Sequence, residues 1–304
     1  MARHAAAWAA SAPAVRRMVP HLGRQGMIPW RVLRHLPAPE TLTVEVTSDI
    51  HFRYVAAHGD PVGRQLFWMG FSRSPEAAVL RSFAYYARRT EVVLDVGANV
   101  GLLTLLALAV NPTARVVAFE PVAETAARLR NNLALNRWES RCSVIEAAVA
   151  DQQGVISLHV PDGTWPASAS LHPDGFRAQH GTPRPVSVTR LDDCTESVGA
   201  VGLLKIDVEG FEPAVLRGAR KVLEHRPAII LECHADGPAG ALDEILSAME
   251  YRCYRLVSSG PRPSAAIADE TGRDYRNFLC LPRERAGLPR ILERRGRSYP
   301  GSTR

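Results

Sequence analysis

Apolar side chains in this chain fall into short unbroken runs separated by stretches of helical spacing, and the pattern is clearest from Val92 onward. Val92, Val93, Leu94 and Val96 form a run of the kind found in a parallel strand covered on both faces. Gly97 and Gly101 bracket Ala98, Asn99 and Val100, so the backbone can turn sharply there. The residues after the loop, Leu102, Leu103, Leu105, Leu106, Leu108 and Val110, are apolar around most of a helix, as expected for one held between a sheet and a neighbour. The same alternation predicts a strand over 115–121, a helix over 123–136 and a strand near 143–146. It then predicts a strand over 202–207, a helix over 212–223, a strand over 228–232 and a helix over 241–250, with final strands at 251–257 and 277–281. Strands alternating with helices imply a parallel sheet with right-handed crossovers.

Two segments depart from this rhythm. Residues 155–160 and 186–191 read as strands joined by a polar loop containing Ser168, Ser170, His172 and His180, and a connection of that length points to a loop facing a substrate. Ahead of the alternating region, residues 42–46 alternate like a strand, 52–55 can pair with them, and 74–88 has helical character with Pro75 near its start. This subregion is expected either to cover the glycine loop as a lid or to pack at the edge. The resulting division is a basic extension at 1–40, an N-terminal subregion at 41–90, a catalytic domain at 91–281 and a basic tail at 282–304.

Composition changes the picture in three places. At 304 residues and 46% hydrophobic, the chain can fill one catalytic core with extensions. The net charge of +6 is concentrated at the ends, with six arginines against one glutamate in 1–40 and seven against two in 282–304, so the middle is acidic. A nucleic-acid enzyme would carry its basic patch on the folded domain, so nucleic acid is not expected as substrate. The five cysteines include no C-x-x-C pair, which gives neither a disulfide framework nor a zinc site, and no run approaches the ~20 apolar residues of a membrane span. The cytoplasm is the expected location.

The chemistry concentrates at predicted strand ends. Asp95 precedes the first loop glycine, where its charge suits an amino group or a sulfonium better than a diphosphate. The dinucleotide fingerprint G-x-G-x-x-G fails because Asn99 stands where its second glycine would be. Glu120 closes the next run 23 positions after Gly97, where an acid can accept hydrogen bonds from ribose hydroxyls or favour a helix N-terminus. In LLKIDVEGFEP, at 203–213, a leucine-led strand ends in Asp207 and Glu209, Gly210 permits a turn, and Glu212 and Pro213 suit the first turn of a helix. LECH, at 231–234, places Glu232 and His234 at the following strand end. Ligands of open α/β sheets bind beyond the carboxyl ends of the strands, so these groups are expected to share one crevice. The plainer alternatives are a structural histidine at His234 and a Lys205 that pairs with a neighbouring carboxylate.

VVLDVGANVG, VVAFEP, TRLDDC (189–194), LLKIDVEGFEPAVLRGA (203–219) and IILECH (229–234) together resemble the FkbM-type family of S-adenosylmethionine-dependent methyltransferases. The likeness runs from about residue 60, through Gly70 and Glu76, to about residue 281, leaving the basic ends outside. It implies a Rossmann-like α/β fold with a seven-stranded, mostly parallel sheet whose last strand inserts antiparallel. It also implies methyl transfer to a hydroxyl, often on a sugar or polyketide-derived natural product. For the cofactor, Asp95 is assigned to the methionine amino group, Gly97, Asn99 and Gly101 to the cradle, and Glu120 to the ribose. Glu146, Ala147 and Ala148 are assigned by position alone to adenine. His234 or Asp207 is the candidate general base. Glu209 and Glu232 could orient that base, bind acceptor hydroxyls, or join Asp207 and His234 around a divalent cation such as Mg²⁺ or Mn²⁺, and no metal is assigned. The competing readings are a nicotinamide-dependent oxidoreductase, weakened by the missing glycine, and a non-catalytic nucleoside-binding protein.

Overall fold

A computed structural model of the chain describes residues 13–55, 61–74, 76–161, 181–196, 198–234, 237–268, 276–285 and 287. The strands are β1 (Thr41–Glu45), β2 (His51–Val55), β3 (Val92–Val96), β4 (Arg115–Phe119), β5 (Cys142–Ile145), β6 (Ala148–Val149), β7 (Gly154–Pro161), β8 (Gly181–Thr189), β9 (Val201–Ile206), β10 (Ala228–Cys233), β11 (Tyr251–Val257), β12 (Gly260–Pro263) and β13 (Arg276–Pro282). The main sheet runs β12-β11-β13-β10-β9-β3-β4-β5. Its strands from β5 to β10 are parallel, and β13 enters antiparallel between β10 and β11, as the family resemblance implies.

The sheet has eight strands where seven were expected. The added one, β12, folds back on β11 at the outer edge and contains Pro261 and Pro263. Prolines are tolerated there because an edge strand needs fewer ladder donors, and the same two prolines hide the strand from a reading based on sequence pattern. The predicted helix over 212–223 is also divided, into Glu212–Arg217 and Arg220–Glu224. Gly218 stands at the division, so close to the chain after β6 that a Cβ there would lie 2.1 Å from the Ala150 carbonyl oxygen.

All five residues of β3 are buried. Val93, Leu105, Phe83 and Ile230 belong to one core layer, and Leu94, Val96, Leu204 and Leu231 to the other, so continuous apolar strands are what a sheet covered on both faces requires. β7 and β8 pair with each other and, through β6, form a separate three-stranded sheet. The predicted substrate-loop residues Ser168, Ser170, His172 and His180 lie outside the described residues.

Strand order reverses between β3 and β9, and there Asp95 and Lys205 are register partners on adjacent parallel strands. This is the switch point at which such sheets open a crevice for ligands. The hairpin of β1 and β2 sits nearby, with Leu42, Val44, Phe52 and Tyr54 turned inward and buried. Side chains of the helix Ala123–Asn136 take the place of a third strand along β2. Asn136 Oδ1 accepts from Arg53 N at 2.8 Å and its Nδ2 donates to Arg53 O at 2.7 Å. Asn132 Oδ1 accepts from Val55 N at 2.7 Å, and its Nδ2 donates to Val55 O at 3.3 Å and to Val100 O at 2.9 Å. Spaced four apart, the two amides share one helix face and meet alternate residues of the strand edge. No helix among the described residues is long and apolar enough to cross a membrane.

Candidate active site

The loop after β3 is shaped by its neighbours. Its first two amides, Gly97 N and Ala98 N, donate to Phe119 O at 3.0 and 2.9 Å, which draws the turn across the end of β4. Gly97 has φ +73° and approaches the chain after β9 so closely that a Cβ would lie 1.8 Å from Asp207 O. Gly101 has φ +92°, and a Cβ there would lie 2.1 Å from Leu129 Cδ1. Both glycines are therefore required by contacts within the protein. Asn99 also takes a positive φ, and its Oδ1 accepts from Val100 N at 2.7 Å.

Asp95 is wholly buried. Its Oδ2 accepts from Thr104 Oγ1 at 2.7 Å, which explains the single hydroxyl in the otherwise apolar helix Leu102–Val110. Among the described residues its Oδ1 is met only by the Lys205 ammonium, at 3.5 Å. That ammonium donates to Gly97 O at 2.6 Å and lies 3.6 Å from Asp207 Oδ2. Burial works against the Lys205 charge, yet Asp207 and Asp95 together hold its pKa above the ordinary lysine value. The predicted pairing of Lys205 with a carboxylate is present, and the same side chain ties the glycine loop to β9.

Glu120 accepts from Asn99 N and Val122 N, both at 3.0 Å, one on each oxygen. Burial pushes its pKa up to about 7 against the pull of those two amides. Glu209 occupies a left-handed turn at φ +55° and brings Oε2 to 2.5 Å from His234 Nε2. Glu212 holds this turn: its Oε1 accepts from Gly210 N at 3.0 Å and Val208 N at 3.4 Å. Glu232 is pushed up to about 9 by burial first, then by repulsion from Asp207, Glu209 and Glu76, with Lys205 opposing. Burial and the Glu209 charge raise Asp207, while Lys205 and His234 pull it down.

These strand ends open on a cavity of about 220 Å³. Of the sequence-predicted residues, it is lined by Asp95, Gly97, Asn99, Asp207 and Glu232. Glu120 stands behind the loop, and Glu209 and His234 pair just beyond the Asp207 strand end, so none of the three lines it. Glu146 forms an ion pair with Arg130 on the outer side, and Ala147 and Ala148 are buried away from the cavity. The sequence reading missed Tyr54 and Asn277 in the lining, and Glu76, noted only as part of the resemblance, had no role. Glu76 directly precedes the helix Ala77–Ala87, and burial, then the Asp207 charge, raises its pKa. Among the described residues, no group of three or more His, Cys, Asp or Glu side chains is arranged to hold a metal ion.

Known proteins share this framework. The methyltransferase FkbM domain matches residues 95–256, more than half of the chain. The 31-O-demethyl-FK506 methyltransferase FkbM of Streptomyces tacrolimicus is 32% identical over 201 residues, which cover 56% of this chain and 75% of that protein. The 2-O-methyltransferase NoeI of Sinorhizobium fredii is 33% identical over 146 residues, covering 43% of this chain and 58% of NoeI. The hexuronic acid methyltransferase AglP of Haloferax volcanii is 27% identical over 172 residues, covering 57% and 68%. The matched span contains the glycine loop, both acidic strand ends and the Glu209–His234 pair, and the chain belongs to the FkbM methyltransferase family.

Proposed function

We propose that this chain is an S-adenosylmethionine-dependent O-methyltransferase acting on a hydroxyl of a small molecule, a sugar or a polyketide-derived natural product. The observation that carries this reading is the Glu209–His234 contact at 2.5 Å beside a cavity into which Asp95 presents an unsaturated carboxylate. The relatives that act on oxygen or on a hexuronic acid support the acceptor class.

When bound, S-adenosylmethionine supplies a methyl group made electrophilic by the positive charge on its sulfur. Asp95 Oδ1 is suited to the methionine ammonium, since a buried carboxylate oxygen without a full set of donors gains from a charge-assisted hydrogen bond. Glu120, already fixed by two backbone amides, offers its remaining lone pairs to ribose hydroxyls. Asn99 and the two glycines form the turn on which these groups sit. His234 takes the proton of the acceptor hydroxyl, and Glu209 orients the ring and stabilises its charged form, an arrangement typically worth ~100–10,000-fold in rate. No step here calls on a metal.

Isothermal titration tests the cofactor assignment. S-adenosylmethionine should bind the wild type, and binding should be lost or strongly weakened in Asp95→Ala and Glu120→Ala. Full affinity in both variants would remove the cradle.

A further inference from the structure

The cavity gathers more carboxyl groups than these roles use. Four carboxyl groups line it, Glu76, Asp95, Asp207 and Glu232, against one ammonium among the described residues, Lys205. That ammonium is committed to the Gly97 carbonyl at 2.6 Å and stands between Asp95 at 3.5 Å and Asp207 at 3.6 Å. The acids come from separate parts of the fold: the start of the helix Ala77–Ala87 and the ends of β3, β9 and β10. Asp95 is fully buried, and among the described residues its Oδ1 is met only by the Lys205 ammonium at 3.5 Å. Ionising such a cluster is costly in an empty site, and a cationic ligand lowers that cost.

We propose that Glu76, Asp207 and Glu232 form a wall that reads the charge on the cofactor sulfur, so that the site holds S-adenosylmethionine in preference to S-adenosylhomocysteine. The proposal rests on the cofactor assignment made above. S-adenosylmethionine carries a sulfonium, an ammonium and a carboxylate, for a net charge of +1; the demethylated product keeps only the last two and is neutral overall. If Asp95 takes the ammonium, only the sulfonium distinguishes the two ligands before the wall. Burial and repulsion from its neighbours leave Glu232 at about 9, so this carboxyl holds a proton near neutral pH when no extra cation is present, and burial shifts Glu76 and Asp207 in the same direction. A permanent positive charge beside the wall favours loss of the Glu232 proton, and a thioether does not. Lys205, the His234–Glu209 pair, Glu212 behind Asp207, and Asp95 and Tyr54 in the lining are the other titratable groups that face this wall, and they are common to both complexes. Methyl transfer thus removes the countercharge, the proton returns to Glu232, and the wall loses its hold on the product.

Titration calorimetry with both ligands, in two buffers of different ionisation enthalpy near neutral pH, reads the effect without any acceptor. S-adenosylhomocysteine should bind the wild type roughly tenfold more weakly, the scale expected for one charge interaction in a partly screened site. S-adenosylmethionine binding should release protons and S-adenosylhomocysteine binding should not. Glu76→Gln and Glu232→Gln should each bring the affinity ratio toward one. The ratio is taken on a single sample, so loss of folded protein does not alter it. Equal affinities in the wild type, or a ratio unchanged in both variants, would overturn the wall and leave the cofactor assignment standing. Absence of binding by either ligand would overturn both.

Discussion

Glu120 and Glu232 stand at the ends of two strands of one sheet, both largely withdrawn from water, and they solve that problem differently. Glu120 is met by two backbone amides and settles at about 7. Glu232 has no comparable donors among the described residues, faces Asp207, Glu209 and Glu76, and sits at about 9. The β4 end therefore has its charge compensated by the chain itself, in place before any ligand arrives. The β10 end has only the Lys205 charge to offset its ionisation, so its carboxyl stays protonated to a higher pH. A preorganised acceptor suits a partner that is always the same, whereas an uncompensated one responds to a partner whose charge changes.

The largest effect that sharpens this contrast lies on the reacting side. His234→Ala should lower methyl transfer by ~100–10,000-fold, followed as S-adenosylhomocysteine formed with the acceptor, and Glu209→Gln should lower it less while displacing the pH–rate profile. A His234→Ala enzyme with the wild-type rate and profile would take the base away from this strand end. Next comes the preorganised side: Glu120→Ala should weaken S-adenosylmethionine binding by ~10–100-fold, the range for losing hydrogen bonds to a charged group. Calorimetry would break the contrast if Glu120→Ala cost no more than Glu232→Gln.

A third effect is in stability against pH. The Glu232 carboxyl ionises near 4.5 in the unfolded chain and near 9 in the folded one, so the folded state holds an extra proton between those values. Its contribution is present below the lower value and lost as pH rises through the upper one. Melting temperature of the ligand-free protein should fall across that window, and Glu232→Gln should flatten the fall. An identical slope in the variant would show that Glu232 does not hold the proton. The smallest effect is away from the site: Asn136→Ala should cost about 1 kcal/mol in a urea melt by stripping Arg53 of its edge partners, and no change would mean water replaces the amide freely.

Much of this was legible from the chain because it depends on continuous local pattern. β3 and β4 read as unbroken apolar runs since both faces of the sheet are covered, and the helix Ala123–Asn136 appears with the predicted bounds. β12 was hidden by its two prolines, and the division at Gly218 depends on a backbone from a distant part of the chain. In the site, Asp95, Asp207 and Glu232 announced themselves as acids at strand ends. The partnership of Glu209 with His234 did not, because a left-handed turn pinned by Glu212 sets it. Glu76 gave no local signal beyond an acid ahead of an apolar helix, and only the packing of that helix brings it to the strand ends. Thr104 was the clue left unread: a lone hydroxyl in LLTLLALAV has to answer a buried polar group.

The two asparagines that border β2 have a consequence for how this protein can be altered. Because β1 and β2 pair with each other in a sheet separate from the main one, and side chains of one helix border β2, the turn between them can be lengthened, shortened or exchanged without disturbing any ladder of the main sheet. Tyr54 rides on that hairpin and lines the cavity. A grafted hairpin has to keep the buried Leu42, Val44 and Phe52 as well as backbone positions 53 and 55, which leaves position 54 as the point at which the hairpin can reshape the cavity wall.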